Sequence, residues 1–158
     1  MSQPGSTRLL LRLAMLTLLV STASSAWAAN PHNRPAIDEI RSISFGVIAA
    51  SSASGTATLS PSGSLTCMGI RCLGGASPGL FAITGAKDYV VAILLSPARL
   101  RTARGATLDV QLTPSQNIMV LRPGNAKNAF SVGGALTVSS NQAEGSYEGS
   151  YLVSVEYQ

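Results

Sequence analysis

Two cysteines, a single histidine and a few clustered charges are the residues whose spacing could do chemistry in this chain. Cys67 and Cys72 bracket the stretch "CMGIRC" and are the only cysteines. A closed metal site needs further donors, and the only histidine, His32, lies far away in the proline-flanked "NPHNRP". The pair therefore reads as a disulfide, and closing so short a loop contributes about 2 kcal/mol through the entropy of the unfolded chain. Nucleophilic catalysis needs a base held by a packed scaffold, which His32 in an extended arm does not supply. Asp38 and Glu39 are adjacent, so in an extended segment they point to opposite faces and cannot work as a facing carboxylate pair. No phosphate-loop motif is present, and Gly74-Gly75 and Gly133-Gly134 precede no helix that could hold an anion. The expectation is a protein that is not an enzyme, with no cofactor and no metal.

Binding chemistry has two candidates. Arg99, Arg101 and Arg104 lie close together in "SPARLRTARG", where they could touch an anionic surface such as lipopolysaccharide or another polysaccharide. The commoner reading is a solvated connection whose charges discourage pairing at a sheet edge. Phe45, Phe81, Tyr89 and Phe130 could form a sugar-stacking platform, but each falls in an expected strand, where core packing is the usual fate.

These residues must be positioned by whatever part of the chain folds, and the first part reads as a leader. "RLLLRLAMLTLLVSTASSAWAA" carries Arg8 and Arg12, an apolar run and then small residues, the layout of a secretory signal peptide with cleavage after Ala28. The apolar run is too short to span a bilayer, so no transmembrane segment is expected in the mature chain. Export brings the cysteines to an oxidising compartment, consistent with their pairing. Removing residues 1–28 takes two of the positive charges behind the net +4, and no long basic run is left, so no nucleic-acid partner is implied. The 46% apolar fraction overstates the core for the same reason, since the leader holds much of it.

Residues 29–42 read as an N-terminal arm, extended or mobile, and residues 43–158 as one domain. Short apolar or alternating runs separated by Gly, Pro, Ser and Asn predict strands over 43–48, 55–59, 64–67, 79–84, 89–95, 107–112, 118–121, 130–132, 135–138 and 146–157. The intervening turns include "SPSG", "LGGASPG", "TGAKD", "RPGNAKN" and "SSNQAEG". No window after the leader shows sustained helical periodicity. The fold class is all-β, and many short strands in a domain of this length favour an immunoglobulin-like β-sandwich.

The last residues, "GSYEGSYLVSVEYQ", alternate most cleanly. Tyr147, Gly149, Tyr151, Val153, Val155 and Tyr157 share one face, and Tyr157 is penultimate. This stretch resembles the C-terminal signature of pilus subunits assembled by the chaperone-usher pathway. The resemblance implies a sandwich lacking its last strand, whose groove is filled first by a periplasmic chaperone and then by the arm of an identical or related subunit. It implies that Gly145 lets the backbone turn into the strand and that Tyr151, Val153, Val155 and Tyr157 contact the partner. "ISFGVI", "GTATLSPSG", "FAITG", "FSVGGALTV" and "GSYEGSYLVSVEY", in this order, resemble a family of secreted bacterial domains of unknown function, which implies a pilin-like sandwich from about Ile43 onward.

Two functions from different classes follow. One is an exported structural subunit of a surface fibre, assembling by strand complementation. The other is a self-complete secreted binding module that holds a surface glycan or protein with its loops, Arg99 to Arg104 among them. In the arm, Ile37, Ile40 and Ile43 recur every third residue rather than every second. That leaves three arrangements open: an arm that donates imperfectly, a subunit that receives a strand without giving one, and a protein that does not polymerise.

Overall fold

Alternation of buried and half-buried side chains, as in Gly79–Thr84, builds strands here, and the turns between them carry glycine, serine, proline and asparagine. The computed structural model describes residues 34–123 and 128–158. The expected signal peptide, its cleavage site and His32 lie outside the described residues. The described chain is all-β and antiparallel, with the arrangement of a β-sandwich.

Its strands are β1 (Ala36–Arg41), β2 (Ser44–Ala49), β3 (Gly55–Leu59), β4 (Leu65–Met68), β5 (Arg71–Ser77), β6 (Gly79–Thr84), β7 (Val90–Leu95), β8 (Ala98–Arg101), β9 (Thr107–Pro114), β10 (Ile118–Val120), β11 (Ala129–Val138) and β12 (Val153–Tyr157). The longest, β11, organises the rest. Its first half pairs with β6 and its second half with β3, while β9 pairs across the middle of the strand. β1 extends this sheet beyond β6, β4 beyond β3, and β8 beyond β9. A three-stranded sheet in the order β10-β7-β12 and a two-stranded ribbon of β2 and β5 make up the facing layer.

The apolar interior divides accordingly. One cluster, including Phe81, Ile83, Val91, Ile93, Leu121 and Phe130, lies between the β1-β6-β11 part of the main sheet and the three-stranded sheet. The other, including Ala57, Leu59, Leu108, Val110, Leu136 and Val138, lies on the inner side of β8, β9, β3 and the second half of β11. Among the described residues, the β2-β5 ribbon and a C-terminal segment with little regular pairing are what can cover it.

Several expectations about elements are corrected. The arm, expected to be extended or mobile, is extended where it is described and is a paired strand, since β1 pairs with β6 from Ala36↔Thr84 to Arg41↔Leu80. The "LGGASPG" turn is mostly strand β5, and the connection holding Arg99 and Arg101 is strand β8. The two strands expected around Gly133-Gly134 are one. A Cβ on Gly133 would fall on the Leu59 carbonyl oxygen and one on Gly134 on the Gln111 carbonyl oxygen, so these glycines admit neighbouring backbones on both sides of β11. The long C-terminal strand is regular only over Val153–Tyr157.

Candidate functional site

Where the second layer is incomplete, a groove of about 1230 Å³ opens. Its floor is the apolar inner face of the main sheet, with Ala98, Leu100, Leu108, Val110, Leu136 and Val138. One wall is β2 with the residues around it, and the other is the C-terminal segment from Asn141 to Tyr151, continued by Val153. Apart from Leu100 these floor side chains are buried, so the groove exposes chiefly its two walls.

Each wall presents a strand edge. β2 pairs with β5 on one side only, and β12 is the terminal strand of its sheet. Along the other wall, Glu148 exchanges two backbone hydrogen bonds with Arg101 of β8, at 2.7 and 3.0 Å. The Ser96 amide donates to the Leu152 carbonyl at 3.0 Å, and the Gln158 amide donates to the Val90 carbonyl at 3.0 Å. In an antiparallel pair only alternate residues bond to a given neighbour. The even-numbered residues thus turn towards β7 and β8, and the backbone groups of Tyr151 and Val153 turn the other way.

The cysteines are joined, as expected. The Cys67–Cys72 bond spans 6.2 Å between Cα atoms and links β4 of the main sheet to β5 of the ribbon. It therefore fastens the β2 wall to the floor of the groove.

Of the residues expected to form the assembly strand, Gly145, Tyr151 and Val153 line the groove, whereas Val155 and Tyr157 do not. Gly145 has φ +149°, a backbone state that disfavours side chains, at the point where the chain turns beside Thr102. Tyr151, Val153, Val155 and Tyr157 pack against the domain's own core cluster around Phe81, Ile93 and Phe130. The Tyr157 hydroxyl accepts a hydrogen bond from the Ala86 amide at 2.8 Å, and its ring lies 5.1 Å from that of Tyr89. Tyr151 touches both clusters, edge-on to Phe81. Its hydroxyl is buried without a hydrogen-bond partner among the described residues. Burial, and secondarily the charge of Glu39, push its pKa up to about 12.

The three arginines are not brought to the groove. Arg99 donates from Nε to Asp109 Oδ1 at 2.6 Å, and this hydrogen bond, with the charge of Asp109, raises its pKa. Arg99 and Arg101 alternate with Ala98 and Leu100 along β8, so they project from the sheet face opposite the groove floor. Arg104 is exposed in the turn that follows. Phe45, Phe81 and Phe130 are buried, so they offer no stacking platform, and Tyr89 is half exposed against Tyr157.

Sequence reasoning missed Glu39, Glu144 and Glu148 as groove residues, and the β2 wall itself. Only the topology assembles them. Among the described residues no helix is long and apolar enough to cross a membrane.

An antiparallel β-sandwich with an open apolar groove is the class that this architecture defines. Residues 36–157 match the family described as "Domain of unknown function (DUF4402)", and the chain belongs to that family. No curated protein matches the chain. No solved structure matches it either.

Proposed function

We propose that this protein is a non-enzymatic, exported structural subunit of a bacterial surface fibre, fimbria-like, that joins its partners by accepting an added strand. The observation that carries the reading is the groove: a floor of core side chains between two unpaired strand edges. One extended segment laid there would give β2 and the Tyr151–Val153 edge the hydrogen bonds they lack. The C-terminal alternation that resembles chaperone-usher subunits supports the same reading. A periplasmic chaperone would hold the groove during export, and a subunit strand would replace it in the fibre.

The test is the state of the protein purified under mild conditions from the envelope of the bacterium that makes it. Unheated in SDS it should run above the monomer and fall to the monomer on heating, because an inserted strand is released only by unfolding. A stable, cooperatively unfolding monomer at every stage would contradict the proposal. The alternative would then be a self-complete binding module, with Arg101 and Arg104 the first residues to examine for anionic glycans.

A further inference from the structure

We infer that the accepting edge is longer than the groove, and that it takes an extended partner strand of about eleven residues, laid along the C-terminal segment from Tyr147 to Tyr157 and so along the whole of β12. The inference rests on the groove being a strand acceptor. The groove's lining ends at Val153, but the backbone edge that borders it continues.

Pairing within the three-stranded sheet fixes which way β12 turns its backbone. The Ile93 amide donates to the Asn117 carbonyl at 2.8 Å, so Ile93 presents its backbone groups to the β10 side of β7. Val155 stands opposite Ile93, with Val153 and Tyr157 opposite Leu95 and Val91, each one alternation away. The amides and carbonyls of Val153, Val155 and Tyr157 therefore face away from β7, and among the described residues no strand pairs with them there.

Burial points the same way. Val153, Val155 and Tyr157 face the core cluster around Phe81 and Ile93, yet they are only half-buried, whereas Val91 and Ile93 beside them are 0% and 4% exposed. On the main sheet, Ile37 of the edge strand β1 is half-buried against the same cluster. β1 and β12 approach each other, so the sandwich has a flank where both layers end in an edge. A strand continuing out of the groove would bond to β12 and lay every second side chain against this apolar flank, so those side chains must be apolar. It would have β2 on its other side only in its first half.

The experiment uses the full exported chain and fluorescein-labelled peptides in which valine alternates with serine over seven, nine, eleven or thirteen residues, each closed by lysines for solubility. Anisotropy should show affinity rising about fivefold with each added pair of residues up to eleven and levelling off there. In residue-resolved amide exchange the seven-residue peptide should protect Tyr151 and Val153, and the eleven-residue peptide Val155 and Tyr157 as well. Val155→Pro removes an amide that faces away from β7 and sets a proline on a free edge, where strands tolerate it. The variant should bind the seven-residue peptide as the unaltered protein does and lose the gain from longer ones; if it does not fold, the length series on the unaltered protein decides. Affinity that levels off at seven residues, or a gain with length that Val155→Pro keeps, would overturn the inference and leave the strand-accepting groove standing. Protection of Val155 and Tyr157 in the free protein would overturn it too, because that edge would already be filled. Binding of no peptide would overturn both this inference and the reading it rests on.

Discussion

Replacing Cys67 and Cys72 together by alanine should cost about 3 kcal/mol, and the loss should fall on one wall of the groove. The bond closes a sequence separation of five, for which the chain-entropy relation gives about 2 kcal/mol. Both cysteines are half-buried against the core cluster beneath the groove, and losing their sulfur atoms adds up to about 1 kcal/mol of packing. A domain of this size is stable by about 5–15 kcal/mol, so the variant should still fold. The cross-link joins β4 to β5, and among the described residues β5 is the strand that pairs with β2. The ribbon should therefore open before the rest. Urea unfolding followed by circular dichroism should show a lower midpoint. Amide exchange should then accelerate in Ser44–Ala49 and Arg71–Ser77 while β11 stays protected. A loss below about 0.5 kcal/mol, or exchange quickened evenly through every strand, would refute the reasoning that the disulfide anchors the wall.

Gly133→Ala should destabilise the protein by about 3 kcal/mol or more in the same urea assay, because the new methyl group meets the backbone of Leu59 and Pro61 rather than a movable side chain. Tyr157→Phe should cost about 1 kcal/mol, the worth of the hydrogen bond from the Ala86 amide, with the ring packing on Tyr89 retained. Tyr151 keeps its proton in the folded state to about pH 12, well above its unfolded value of 10.0. Its contribution is thus fully present below pH 10.0 and is lost as pH rises towards about 12, so stability should fall across that window and Tyr151→Phe should flatten the fall.

How much of this was legible beforehand varies with how local the cause is. Strands β3 and β6 have the boundaries that the sequence predicts, because alternating side chains and flanking turn residues are both local signals. β11 read as two strands because a glycine pair looks like punctuation. Its actual cause is the close approach of backbones from β3 and β9, which are distant in sequence. β5 was hidden similarly by Gly74 and Gly75, both at positive φ within the strand. In β1 the register shifts between Glu39 and Arg41. Ile37 and Ile40 lie three residues apart, so the ordinary period of two puts them on opposite faces: Ile37 packs inward and Ile40 is 59% exposed, although both looked like one apolar series.

At the C-terminus the alternation held in burial where the ladder did not. Tyr147, Tyr151, Val153, Val155 and Tyr157 are all half-buried, while only the last five strand residues pair regularly. Side-chain period belongs to extended backbone, whereas pairing depends on the neighbour that the chain meets. The groove lay beyond the sequence for the same reason: an incomplete layer is a property of which strands fail to sit beside each other. The glutamates among its lining residues come from the two ends of the domain.

The most direct measurement is amide exchange at Tyr151 and Val153 in the folded protein, alone and saturated with a peptide in which valine alternates with serine. With the groove empty these two amides should exchange quickly while Leu152, whose amide donates to the Ser96 hydroxyl at 2.8 Å, is protected. With the peptide bound, Tyr151 and Val153 should become protected along with residues of β2. Protection of both amides in the free protein, or fast exchange that a bound peptide leaves unchanged, would contradict the account of this groove as the place of a missing strand.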